Sequence, residues 1–337
     1  MLHQNTPWIR SQTPVLSALA ADAPSWMRSI CYSPSVVRVS DKYLMTMLGS
    51  SGPHRSCQID LGIAESDDGL SWSMVGDQPV LRANELPFEA VTIQTPHVLW
   101  DEPASMFRLW FIAGEKTIRD DAGQIIKMTQ KLAYAESPDG RDWRVHPQPV
   151  FYSGRRPCVH ALPDGGYRMW MNSESPAADA PWNSLYQHIY EFRSPDGKSW
   201  TRSQSPCLTA DPRRVGCIYP FVVDEGDRYF MYFAGYDKDS RAAGRQIFQI
   251  YSAVSADGSN WNVDVERPAF PVSDDVTRFD ALYTSTPCVV VEPDRYLLYY
   301  SAVDTRETMT DIATGVQIPK KGSAYQHIGV ATAPRNR

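Results

Sequence analysis

Ser194-Pro195-Asp196-Gly197-Lys198-Ser199-Trp200 is one of four copies of the pattern Ser-x-Asp-Gly-x-x-Trp. The others are Ser66-Asp67-Asp68-Gly69-Leu70-Ser71-Trp72, Ser137-Pro138-Asp139-Gly140-Arg141-Asp142-Trp143 and Ser255-Ala256-Asp257-Gly258-Ser259-Asn260-Trp261. Each follows an apolar, strand-like run and leads into a short polar stretch ending in Pro. The tryptophans lie 71, 57 and 61 residues apart, a spacing that suits one four-stranded propeller blade per repeat. Asp and Gly favour tight turns and Trp fills space, so the motif reads as scaffold between third and fourth strands.

Beyond each Trp the chain runs to an outer-strand ending: Gln78-Pro79-Val80-Leu81, Gln148-Pro149-Val150-Phe151, Ser205-Pro206-Cys207-Leu208 and Arg267-Pro268-Ala269-Phe270. The segment from Trp8 to Leu16 nearly copies Trp200 to Leu208 with no repeat before it. At the other end, Gln326 to Pro334 reads as a third strand with no fourth. Pairing the two completes a fifth blade and leaves no open sheet edge. The expected architecture is all-β, a single five-bladed β-propeller domain over 1–337 with four antiparallel strands per blade. Its approximate blades are 26–81, 88–151, 152–208, 213–270 and 279–334 plus 8–16. Inner strands are marked by Pro34, Pro96, Pro157, Pro220 and Pro287, and second strands by aromatic-aliphatic runs such as Tyr167-Arg168-Met169-Trp170-Met171.

With 33 Lys and Arg against 39 Asp and Glu, the net charge of −6 argues against a nucleic-acid or anionic-membrane surface. A small molecule or oligosaccharide is the expected partner. No basic-then-apolar leader and no apolar run near about 18 residues is visible. Cys31, Cys57, Cys158, Cys207, Cys217 and Cys288 show no metal-type spacing, so a cytoplasmic protein with reduced thiols and no cofactor or metal is expected. Cys158 and Cys288 hold equivalent inner-strand positions, as buried small residues would.

Chemistry is expected where the inner strands begin, since that face also receives the loops between second and third strands. Phe88-Glu89-Ala90-Val91 and Phe279-Asp280-Ala281-Leu282 match, and each acid precedes the pre-proline residue (Thr95, Thr286) by six positions. In blades 2 and 5 these carboxylates would flank a shared opening, one as acid and one as base or nucleophile. Glu115, Glu174, Asp237 and Asp304 follow the second strands, with Ser51 at the matching place in blade 1; Asp237 and Asp304 are reserve candidates. Arg28, Arg155, Arg156, Arg213 and Arg214 precede inner strands and could bind an anionic group bidentately. Tyr32, Tyr219 and Tyr283 are candidate pocket walls, and His97 is expected near Glu89; His160 lies on the blade 3 inner strand. No Ser/His/Asp elbow, phosphate loop or dinucleotide fingerprint is present.

The recurring scheme of inner-strand Pro, Tyr-x-x-Trp-Phe-like second strand, Gly-x-Ala third strand and Ser-Pro-Asp-Gly-x-x-Trp turn resembles the five-bladed propeller glycosidases. That group includes arabinanases, β-xylosidases, invertase-like fructosidases and β-mannoside phosphorylases, and the likeness runs from Trp8 to Pro334. Tyr300-Ser301-Ala302-Val303-Asp304 with Gly329-Val330-Ala331 is similar to the phosphorylase branch. The turn itself resembles the sialidase Asp box but is one residue shorter between Asp and Gly. The resemblance implies a hydrolase or phosphorylase acting on a small sugar in the central pocket, and the arginines suggest an anionic one. Arabinanase-type members carry Asp before the inner-strand Pro, whereas this chain has Ser33, Thr95, Arg156, Tyr219 and Thr286. Two expectations follow: a glycoside-processing enzyme using Glu89 and Asp280, or a non-hydrolytic propeller. The latter would be a carbohydrate-binding protein or a lyase- or isomerase-type biosynthetic enzyme.

Overall fold

The computed structural model describes residues 2, 6–52, 57–115, 118–119, 125–127, 129–173, 187–211, 216–236, 247–264, 266–320 and 324–335. Five antiparallel sheets form a ring, and the described residues include no α-helix. Blade 1 is Ile30–Val39, Lys42–Ser50, Asp60–Ser66 and Ser73–Met74. Blade 2 is Thr92–Asp101, Met106–Gly114, Gln130–Ser137 and Arg144–Val145. Blade 3 is Arg155–Ala161, Tyr167–Asn172, His188–Ser194 and Thr201–Arg202, with Leu208–Thr209 also on its third strand. Blade 4 is Ile218–Asp224, Tyr229–Tyr236, Phe248–Ser255 and Asn262–Val263. No helix among the described residues is long and apolar enough to cross a membrane.

Blade 5 draws its outer edge from the far end of the chain. Tyr283–Val291, Arg295–Val303 and His327–Pro334 are completed by Ile9–Arg10, which pairs with Thr332 and Ala331. Leu16–Ser17 continues that edge against Ile328 and His327. The ring therefore closes as the repeat pattern requires, and the third strand of blade 5 is covered. The outer strands are shorter than the sequence endings suggest. Each pairs over two residues, then breaks near the Pro and rejoins the third strand further on, as at Leu81 with Leu61 and Phe151 with Leu132. Proline has no N–H to offer the ladder, so the strand splits there.

The Ser-x-Asp-Gly-x-x-Trp turns bolt neighbouring blades together. In blade 3, Asp196 Oδ1 accepts N–H bonds from Lys198 (2.8 Å) and Ser199 (2.7 Å), and Trp200 Nε1 donates to Gly197 O at 3.0 Å. Gly197 O also accepts from Trp110 Nε1 of blade 2 at 2.8 Å. Gly258 O receives Trp170 Nε1 of blade 3 at 2.7 Å, and Gly69 O receives Tyr299 Oη of blade 5 at 2.7 Å. The four glycines sit at φ between +73° and +75°, where a side chain is strained. Backbone N–H bonds to the ionised carboxylate hold Asp68 and Asp196 down at about 2. These turns are scaffold.

Candidate functional site

All five residues before the inner-strand prolines adopt left-handed backbone: Ser33 (φ 57°), Thr95 (42°), Arg156 (53°), Tyr219 (61°) and Thr286 (47°). That conformation is costly for non-glycine residues, and more so ahead of Pro. Each blade's inner ladder shifts register at the same place, between Tyr32 and Ser35 in blade 1 and at its equivalents. A bulge re-aims the side chain it carries. Cross-blade bonds hold the bulges: Ser33 N donates to Ser301 Oγ (2.7 Å), Arg156 N to Thr95 Oγ1 (3.0 Å) and Tyr219 N to Asn172 Oδ1 (3.0 Å). Strain repeated in register around a ring marks the part of the molecule where side-chain direction matters.

Arg156 crosses the ring. Its Nη1 donates to Ser33 Oγ (3.2 Å) and Pro96 O (3.4 Å), and its Nη2 to Pro34 O (3.1 Å) and Pro287 O (2.8 Å). It touches blades 1, 2 and 5 from blade 3, it is 0% exposed, and burial pulls its pKa down. Arg155, nearly as buried, donates to Tyr219 Oη at 3.0 Å and lies over the Tyr219 ring. With its amide nitrogen on Gly154 O, Gln130 accepts from Arg155 Nη1 at 2.8 Å. The sequence associates these arginines with a pocket; the structure makes Arg156 a strut as well.

An aromatic group adjoins the Arg155–Tyr219 pair, because Phe248 packs against the Ile218, Tyr219 and Ala234 cluster. Tyr32 stacks on Tyr325 (5.5 Å between centroids, 7° between planes), Tyr325 meets the edge of Tyr283 at 6.1 Å, and Tyr283 stacks on Phe248 at 5.5 Å. Tyr32 and Tyr283 are two of the candidate walls named from sequence. Tyr325 and Phe248 escape sequence reasoning, although both sit at the start of third strands, on the same face as the beginnings of the inner strands.

His97 lies in the ring interior rather than beside Glu89. Its Nε2 bonds Val159 O of blade 3 at 2.9 Å, and burial together with the nearby Arg156 charge lowers its pKa to about 3. Inner-strand side chains play this role around the ring. Ser35 Oγ accepts from Val98 N (2.9 Å), Cys158 Sγ from Val222 N (3.2 Å) and Cys288 Sγ from Val36 N (3.2 Å). The two cysteines are buried free thiols that stitch adjacent inner strands.

The two matched carboxylates have opposite surroundings. Asp280 is 0% exposed; Arg10 Nη1 reaches its Oδ2 at 2.7 Å, Arg278 Nε its Oδ1 at 3.1 Å, and Tyr300 Oη its Oδ2 at 2.8 Å. Arg10 belongs to the N-terminal strand, so this carboxylate clasps the ring closure and offers no open oxygen to a ligand. Glu89 is exposed and carries no ion pair among the described residues. Asp304 is also occupied: Lys320, Arg306 and His327 all bond it, and these contacts outweigh burial and hold its carboxyl below the usual range. Glu115 pairs with Lys131, and Arg28 is exposed with its Nε on Ala23 O. Glu174, Arg213, Arg214 and Asp237 lie outside the described residues. Among the described residues no group of three His, Cys, Asp or Glu side chains is arranged to hold a metal ion.

No protein-family model and no curated protein matches the sequence. Solved structures do match its shape. A glycoside hydrolase superimposes with a TM-score of 0.71 at 18% identity, covering 99% of this chain and 93% of its own. The fold is that of the five-bladed propeller glycosidases. A structure from the GH130 family of mannoside phosphorylases matches at TM-score 0.66 and 16% identity, over 98% of this chain and 96% of that one. The catalytic domain of a Coprinopsis cinerea GH62 α-L-arabinofuranosidase matches at 0.65 and 12%, over 98% of each chain. At these identities the likeness is one of architecture.

Proposed function

We propose that the chain is a glycoside-processing enzyme, a hydrolase or phosphorylase, that works on a small anionic sugar at the face where the inner strands begin. The observation that carries this reading is the ring of five left-handed pre-proline residues, with an aromatic group that runs from Tyr32 to Phe248 and adjoins the Arg155–Tyr219 pair. Aromatic faces suit the apolar faces of sugar rings, and guanidinium suits carboxylate or phosphate. The neighbours in shape, a glycoside hydrolase and a structure from the GH130 family of mannoside phosphorylases among them, support the same class of chemistry.

Glycosidic cleavage needs one carboxyl group to protonate the leaving oxygen and one to act as base or nucleophile. Glu89, exposed and outside any described ion pair, suits one of these parts. Asp280, held by two arginines, suits neither, and Asp304 is likewise saturated. Asp237, a reserve candidate that lies outside the described residues, is taken for the second. A panel of nitrophenyl glycosides and glycuronides, with and without phosphate, tests this. Glu89→Gln and Asp237→Asn should each lower turnover by about 10²-fold or more with an unchanged melting temperature. Asp280→Asn should destabilise the fold by about 3 kcal/mol, because it leaves Arg10 and Arg278 without their partner. Near-normal turnover in both Glu89→Gln and Asp237→Asn would remove the catalytic assignment.

One observation favours a second reading. No pre-proline position holds an acid, and Arg156 fills the ring at that level. A carbohydrate-binding protein or a lyase- or isomerase-type enzyme fits that departure, and it would be the conclusion if sugars bind but no glycoside in the panel is cleaved.

A further inference from the structure

The sequence holds no Ser/His/Asp elbow, yet closure of the ring brings those side chains together from distant segments. Ser17 lies on the N-terminal edge strand, His327 opens the third strand of blade 5, and Asp304 follows its second strand. Ser17 Oγ is 3.0 Å from His327 Nδ1, and His327 Nε2 is 3.0 Å from Asp304 Oδ2. Lys320 and Arg306 also bond Asp304 and hold it ionised, so it can only accept. It therefore keeps the imidazole proton on Nε2, which leaves Nδ1 as the acceptor and the Ser17 hydroxyl as the donor. Burial, with Lys320 and Arg306 in the same direction, keeps the imidazole neutral, the form a general base needs. Backbone pairing supplies the rest. Ala18 N donates to Gln326 O at 2.9 Å, so Ser17 and His327 form a non-hydrogen-bonded pair, the kind whose side chains stand closest. The Ser17 N–H then turns away from the third strand. Ser17 is half-buried beside Leu19, which is 44% exposed, while His327 and Asp304 behind it are buried.

We propose that Ser17 is a second reactive centre, a nucleophile for short acyl esters, with His327 as its general base and Asp304 positioning the imidazole. Ser17 Oγ bonds to the ester carbonyl carbon while its proton passes to His327 Nδ1, and the outward Ser17 N–H is the donor to the developing oxyanion. The ester C–O bond then breaks, and the alcohol leaves with the proton from His327. Water repeats the sequence on the acyl-serine: it gives a proton to His327 and its oxygen to the acyl carbon. Ser17 Oγ departs with that proton and a carboxylic acid is released. The step is independent of glycoside cleavage.

Treating the full chain with a fluorophosphonate probe and mapping the adduct by peptide mass spectrometry tests this, alongside hydrolysis of p-nitrophenyl acetate. Ser17 should carry the adduct in the native chain and lose that reactivity in urea. Ser17→Ala should abolish the adduct and lower ester hydrolysis by about 10²-fold or more, with the elution volume of the intact chain. His327→Gln should lower both readouts; if it fails to fold, the native adduct and Ser17→Ala carry the test. The ¹⁵N signals of His327 report the positioning role of Asp304. They should show the Nε2–H tautomer in the native chain and the Nδ1–H tautomer in Asp304→Asn, a change that a merely structural carboxylate would not produce. No adduct at Ser17 in the native chain, or unchanged ester hydrolysis in Ser17→Ala, overturns the centre. An Nδ1–H tautomer in the native chain overturns His327 as the base.

Discussion

His97 shows how a residue's partners decide its role. Next to Pro96 and near Glu89 in sequence, it resembles a pocket group, yet its Nε2 is committed to Val159 O and its ring lies beside Arg156. A histidine with a folded pKa near 3 and an unfolded value near 6.5 leaves the unfolded state binding more protons between those limits. Stability should therefore fall as pH drops from about 6.5 towards 4, by up to about 1.4 kcal/mol per pH unit from this group. His160, also depressed by burial, acts in the same direction. Asp304 contributes in a separate window below the ordinary carboxylate range, because its folded pKa is the lower one. Urea denaturation at pH 7 and pH 5 should show the loss, and His97→Gln, which can keep a donor for Val159 O, should flatten it. An unchanged slope in that variant would assign the pH dependence elsewhere.

Among elements, the Ser-x-Asp-Gly-x-x-Trp turn was legible almost completely from sequence, because its function is local: an Asp to collect N–H groups, a Gly for positive φ, a Trp to pack. Sequence could not show which blade each turn locks against, since that partner lies outside its own repeat. At Gly69 an added Cβ would lie 2.6 Å from Leu297 Cδ1 and 2.9 Å from Tyr299 Oη of blade 5. Gly76 has similar backbone (φ 76°) but nothing within 4 Å. Gly69→Ala should therefore cost about 2–3 kcal/mol and Gly76→Ala about 1 kcal/mol, read from denaturation midpoints. Equal losses would mean that blade docking adds nothing to the turn. The outer strands were less legible, because a Pro that looks like a strand ending also splits the strand.

For the molecule as a whole, closure joins residues about 320 positions apart, as the pairing of Ile9 with Thr332 shows. The N-terminal strand also brings Arg10 to Asp280 and packs Trp8 against Tyr232. Removing residues 1–17 should expose the edge of His327–Pro334, leave Asp280 short of a cation and produce aggregates on size exclusion. A peptide spanning residues 6–17, added during refolding, should restore the elution volume of the intact chain; a stable truncation that does not aggregate would show that the strand is dispensable.

The repeat alone determined the blade number, the strand order and the joining of the two ends, because periodic turn and packing signals are properties of each segment. It also placed Tyr32, Tyr283, Arg155 and Arg156 at one face. The assignment of Glu89 and Asp280 as a matched pair did not follow from their matched sequences. Asp280 faces Arg10, Arg278 and Tyr300, while Glu89 faces solvent, and those neighbours come from different parts of the chain. A carboxylate's chemistry depends on the charges within a few ångströms of it, and only the folded ring decides which those are.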